Sequence, residues 1–130
     1  MNMKLSQKEI EAVLRLPGEK RYEYFIKRVS DSNRLWGLWN DGWAMGVTND
    51  GRKTIPVWPA AEYAELCRKD DWQAYTPKSI DLHEFMNHFL PGLVRDGVRV
   101  SIFDTPLEDS VLIDDDELLG DLKEELSKIE

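Results

Sequence analysis

Apolar residues recur at helical spacing in five stretches of the chain and at strand spacing in five others. After Ser6 they fall at Ile10, Val13 and Leu14, a stripe stopped by Pro17-Gly18. Tyr22, Phe25, Ile26 and Val29 share one face of a helix over roughly 19–31. Tyr63, Ala64 and Cys67 mark another over roughly 60–68. Leu82, Phe85, Met86 and Phe89 follow Asp81, with Pro91 expected to break or restart that helix. Leu118, Leu122, Leu126 and Ile129 form a last stripe behind Asp114.

Three of these helices share one local start signal. Leu5-Ser6-x-x-Glu9-Ile10, Ile80-Asp81-x-x-Glu84-Phe85 and Ile113-Asp114-x-x-Glu117-Leu118 each place a capping side chain three residues before a Glu, between two apolar residues. The cap accepts a backbone N–H, the Glu can reach back to the cap's own N–H, and the apolar pair can pack as a staple. Each cap contributes about 1 kcal/mol, enough to set helix starts near 6, 81 and 114.

The strands are expected between the helices. Leu35–Trp39 and Trp43–Val47 flank Asn40-Asp41-Gly42, a hairpin signal in which Gly accepts positive φ. Asp50-Gly51 turns into Thr54–Trp58, where Pro56 lacks an N–H and points to an edge strand or an early end. Asp96-Gly97 precedes Val98–Phe103, whose alternation buries Val98, Val100 and Ile102 on one face, and Val111–Ile113 forms a short fifth strand. The fold class is therefore α+β: a three- to five-stranded, at least partly antiparallel sheet packed with about five to six helices. Residues 1–130 read as one domain, with 6–16 and 114–129 as peripheral helices. No repeat, linker or low-complexity stretch divides them.

Composition narrows the function classes. With 130 residues, 42% hydrophobic and 32% charged, the chain suits one globular domain. The net charge of −8 is carried at one end: residues 104–130 hold 11 acids and 2 bases. Overall acidity argues against nucleic acid, because phosphate contacts need a clustered basic surface. The acidic end reads as a solvated helix face, or as a docking tail for a basic partner. Met1–Ile10 has no apolar run of signal-peptide length, and Phe85–Val94, the longest uncharged stretch, is half a membrane span. Lone Cys67 excludes an intrachain disulfide and suits a reducing compartment. A cytoplasmic protein away from membranes, monomeric or weakly dimeric, is expected.

Candidate chemistry is sparse. His83 and His88 are five apart, about 140° around a regular helix, so they do not chelate one ion as residues four apart would. Asp114-Asp115-Asp116-Glu117 lacks the alternating spacing and Gly of a calcium loop and suits a helix N-terminus. Cys67 has no sequence-adjacent base and reads as a small buried hydrophobe. No phosphate-cradling loop, nucleophile elbow or paired-Cys motif occurs, so catalytic, metal and cofactor residues are all expected to be none.

Five tryptophans stand out. Trp36 and Leu38 should face one side of the first strand, Leu35 and Trp39 the other, so both faces are apolar there. Helices then cover both faces, or a patch remains for a partner. The candidate interaction surface is Arg21, Arg34, Trp36, Trp43, Trp58 and Trp72, with Arg28 at its border.

Several blocks in fixed order resemble a bacterial family catalogued as domain of unknown function 2750. They are Arg21-Tyr22-x-Tyr24-Phe25, Trp36-Gly37-Leu38, Asp41-Gly42-Trp43-Ala44, Pro56-Val57-Trp58-Pro59, Tyr63-Ala64, Trp72-x-x-Tyr75, Leu90-Pro91-x-Leu93 and Asp96-Gly97. The likeness spans about 21–103 and implies no catalytic residues. Ile55–Pro59 followed by Ala60–Cys67 also resembles small domains of secretion-enhancer and toxin-immunity proteins, a likeness of fold only. Three functions are compatible with this reading: a non-enzymatic protein-binding or regulatory module, a toxin-immunity-type protein, and an enzyme whose site joins distant Asp, His and Arg residues.

Overall fold

The structure, a computed structural model, describes residues 5–106 and 111–129. Residues 1–4 of the Met1–Ile10 segment, 107–110 and 130 of the acidic end lie outside it. The chain runs α1 (Gln7–Leu14), α2 (Gly18–Ser32), β1 (Arg34–Trp39), β2 (Gly46–Val47), β3 (Lys53–Val57), α3 (Ala61–Leu66) and β4 (Thr76–Asp81). It continues through α4 (Leu82–Glu84), a π-turn (Phe85–Phe89), α5 (Leu90–Asp96), β5 (Arg99–Ile102), β6 (Val111–Ile113) and α6 (Asp115–Ile129).

Local signals act where expected at two helix starts. Ser6 Oγ accepts the Glu9 N–H at 3.1 Å, and Asp81 Oδ2 accepts the Glu84 N–H at 3.0 Å. Glu9 does not close a capping box. It accepts the Tyr24 hydroxyl at 2.8 Å instead, while Tyr63 donates to Tyr24 at 3.1 Å, so α1 is tied through α2 to α3. At the third start, the Asp114 carbonyl accepts the Leu118 N–H and Asp114 Oδ1 takes the Arg99 guanidinium at 3.1 Å. Asn33 and Gly97 end α2 and α5 in the left-handed conformation that completes a helix C-terminus.

Pro91 does not break its helix. The Leu90 N–H bonds back to Phe85 C=O across the π-turn. Widening the coil before the proline accommodates a ring that would otherwise press on the preceding turn.

The strands form two ladders of mixed direction. β1 pairs with β4, antiparallel, from Arg34↔Asp81 to Trp39↔Thr76. The four-stranded ladder runs β2-β3-β5-β6, with β3 and β5 parallel and the outer pairs antiparallel. The Asn40–Gly42 hairpin closes with only the Trp39↔Trp43 bridge, after which Ala44 N–H bonds Leu38 C=O and the chain leaves for β2. Asp41, not Gly42, takes the positive φ of this turn, at 55°, because a short polar side chain that can hydrogen-bond locally tolerates that region. The Asp50-Gly51 turn does place Gly51 at φ 87°.

Pro56 sits in an interior strand, correcting the expectation of an edge. Thr54 pairs laterally with Gly46, and Trp58 pairs on that same side with Trp36. Pro56 faces the gap between them, where Ala44 has turned to β1, so no ladder bond is lost. Trp36 and Trp58 exchange both main-chain bonds, at 2.9 and 2.8 Å, and thereby join the two ladders.

β4 was not foreseen. Thr76-Pro77-Lys78-Ser79 is polar and mostly exposed, and only Ile80 is buried, so no apolar alternation announces a strand. Pro77 and Lys78 suit its position at the end of the ladder.

Val98, Val100 and Ile102 are buried as expected, and so are Ser101 and Phe103. An interior strand has both faces covered. One contiguous apolar cluster runs from Leu5 through Phe25, Leu38, Val57 and Phe85 to Leu122. α2 packs on α6, and α3 packs against β1 and β4.

Trp58 lies at the centre of these contacts, 0% exposed, with its indole Nε1 donating to Asp104 C=O at 2.9 Å. Trp58→Phe should lower stability by about 1–3 kcal/mol, from the lost bond and the lost volume. Chemical denaturation would measure it, and an unchanged midpoint would show that the indole does not anchor the junction.

Candidate interaction surface and a polar trough

The six candidate residues do not form one surface. Trp58 and Arg21 are buried and leave the list of contact residues: their bulk fills the core, and Arg21 Nη1 donates to Leu16 C=O at 3.1 Å, bracing the α1–α2 turn. Arg34 is exposed at the start of β1, while Trp36, Trp43 and Trp72 are half-buried. Trp72, in the turn Asp70–Trp72, meets Trp58 edge-on at 6.2 Å.

Gly37 explains where Trp43 goes. A Cβ on Gly37 would lie 2.9 Å from Trp43 Cε3 and Cζ3, so the indole covers the bare backbone of β1. Trp43 in turn meets Trp39 at 4.9 Å and Phe89 at 5.8 Å, both edge-to-face, and Phe89 stacks on Phe85 at 5.7 Å. Lys78, opposite Gly37 across the ladder, lays its ammonium 3.9 Å over the Trp39 ring. The half-buried members of this row are Trp39, Trp43 and Phe89. Trp39 and Phe89 were absent from the sequence-derived surface. Alternation along β1 placed Trp39 on the face opposite Trp36, a usable signal, but only the fold brings Phe89 to it.

A second feature lies at the C-terminal ends of the parallel pair β3 and β5. Phe103 has φ 61°, a region that bulky residues rarely occupy. Its N–H bonds Val57 C=O, and its ring packs against Tyr63 at 4.8 Å and Tyr24 at 6.1 Å. The next residue, Asp104, takes three hydrogen bonds from described residues. Its carbonyl accepts Trp58 Nε1 and, at 3.4 Å, Cys67 Sγ, and its Oδ1 accepts the Ser101 hydroxyl at 3.0 Å. Backbone strain of this kind persists only where surrounding contacts over-determine it.

Asp104 lines two open cavities. One, about 640 Å³, is bounded by the Gly46–Asp50 hairpin, Thr54, Ser101 and Leu112. The other, about 310 Å³, includes Met45, Cys67, Lys69–Trp72 and Thr105. Neither was legible beforehand, since the groups come from four separate segments.

Burial, and then the charge of Asp104, push the Cys67 thiol up to about 11. At pH 8 about one part in a thousand would be thiolate. Burial likewise raises Asp115, against the Val100 backbone bond and Arg99, which lower it. His83 and His88 are both exposed, and the π-turn between them removes the regular-helix premise of their 140° separation. Among the described residues, no group of three or more His, Cys, Asp or Glu could hold a metal ion. No helix among them is long and apolar enough to cross a membrane.

An α+β unit with a mixed sheet, a tryptophan-joined pair of ladders and an aromatic row over β1 is the class defined by this geometry. The chain belongs to the DUF2750 family, described as a protein of unknown function, whose family model matches residues 22–122. The match begins after α1 and ends inside α6. No curated protein matches the chain.

Two measurements check this geometry. Gly37→Ala should cost about 1–3 kcal/mol and shift tryptophan fluorescence as Trp43 is displaced. Gly42→Ala, with open space around it, should change stability by less than about 0.5 kcal/mol. Equal effects would remove the proposed role of Gly37. Cys67 should resist alkylation at pH 8 in the folded chain and react fully in denaturant. Rapid labelling of the native protein would show an accessible thiol.

Proposed function

We propose that this protein is a non-enzymatic protein-binding or regulatory module of the bacterial cytoplasm, acting through the aromatic row over β1. The observation that carries the reading is the placement of Trp39, Trp43 and Phe89, half-buried in edge-to-face contact, with Lys78 over Trp39. Tryptophan presents a large rigid surface at small entropic cost and dominates many interfaces. The lone, protonated Cys67 supports a reducing compartment.

Trp39→Ala is the direct test, because Trp43 is also committed to covering Gly37. Affinity capture with the intact chain should enrich a specific protein, and Trp39→Ala should reduce that capture at least tenfold, equivalent to about 1.4 kcal/mol. Its melting temperature should fall by only a few degrees. Undiminished capture by the variant would remove the aromatic row as the contact surface.

A further inference from the structure

We propose that the trough between the β2–β3 hairpin and Asp104 receives the guanidinium or ammonium tip of a basic side chain on a protein partner. This inference rests on the protein-binding reading and names a second contact for it, distinct from the aromatic row.

The trough's chemistry is one-sided. Register places Gly46 opposite Thr54, and Ser101 opposite Leu112, so these four share one face of the sheet and form its floor. Acceptors dominate it. Asp104 and Asp50 both line it, and no Lys or Arg is among its described lining residues; Arg99, beside Thr54 in register, is bonded to Asp114, and Arg52 acts on Asp50 from outside the lining. The Thr48 hydroxyl bonds Asp50 and holds its carboxyl below the usual range, so that group stays charged. Ser101 spends its proton on Asp104 Oδ1, which leaves its oxygen lone pairs to accept.

Thr54 points to a ligand independently of the acids. The residue is only 7% exposed, lines the trough, and makes no side-chain hydrogen bond among the described residues. Its Oγ1 would lie 3.0 Å from a Cβ on Gly46, so glycine at that position keeps the hydroxyl clear. The buried residue thus opens its hydroxyl oxygen onto the trough, where it can bond whatever enters.

The flanks fit a basic side chain better than a bare cation. Val47 and Leu112 are 70% and 42% exposed and present apolar carbon beside the polar floor. Lys and Arg carry a methylene stem that packs on such carbon while the charged head reaches acceptors. Guanidinium offers five donors and no acceptor, the complement of this lining.

Titration of the isotopically labelled full chain with agmatine, a guanidinium on a four-carbon stem, tests the site. Saturable shifts are expected at Gly46, Thr54, Ser101 and Asp104. Asp104→Asn, which keeps an oxygen for Ser101, should weaken binding about tenfold. Thr54→Val should weaken it several-fold, and Asp116→Asn on α6 should not change it. Shifts that instead follow α6 without saturating, or unaltered binding by both trough variants, would overturn the proposal. A capped Ala-Arg-Ala peptide separates the sources. Binding at least as tight as agmatine's supports a partner's side chain, and agmatine binding without peptide binding overturns it. Should Asp104→Asn fail to give a folded spectrum, Thr54→Val decides. The trough can fail this test while Trp39→Ala still loses capture, and the reverse, so the two readings fall separately.

Discussion

Two main-chain hydrogen bonds between Trp36 and Trp58 hold the architecture together, because they are the junction between a two-stranded and a four-stranded ladder. A two-stranded ribbon is marginal alone in water. Attached to the tip of β3, β1 and β4 become an extension of a larger sheet. The junction is also braced from the side. The Trp58 indole, fully buried, spans to the Asp104 carbonyl beyond β5. One residue therefore links β1, β3 and the segment after β5 through backbone and side chain together.

Both candidate surfaces follow from that junction. Ala44 turns to Leu38 instead of continuing beside β3, so Trp43 folds over Gly37 and the aromatic row forms on β1. The same departure leaves β2 only two residues long, and its Gly46 joins Thr54 and Ser101 as the floor of a trough. Phe103 supplies the other constraint. Its left-handed backbone redirects the chain after β5, and the bonds from Trp58, Cys67 and Ser101 fix Asp104 in the trough's lining. Such a conformation costs on the order of 1–3 kcal/mol, offset here by three hydrogen bonds and two aromatic contacts.

Charge and aromatics act in different places. The aromatic row carries a cation, Lys78, whereas Asp50 and Asp104 line the trough with no Lys or Arg among its described lining residues. A partner engaging both would meet an apolar patch bordered by positive charge and a pocket of acceptors. The acidity of α6 adds a long-range attraction for basic partners that salt would weaken.

Features that depend on neighbours a few residues apart were written in the sequence. The Ser6 and Asp81 caps, the amphipathic face of α2, the Gly51 turn and the burial of Val98, Val100 and Ile102 all read correctly, because each is decided by local backbone chemistry or by a periodic apolar face. Tertiary structure alone decided the rest. It made Glu9 a partner of Tyr24, carried Pro91 through a π-turn, put Pro56 inside the sheet and paired β1 with the polar β4. It also buried Arg21 and Trp58, which composition had offered as contact residues, and gathered Trp39, Phe89, Thr54 and Asp104 into surfaces. Periodicity tells which face of an element is apolar, but not which distant element lies against it. That choice belongs to packing and to the lateral pairing of backbone groups, which no stretch of sequence contains by itself.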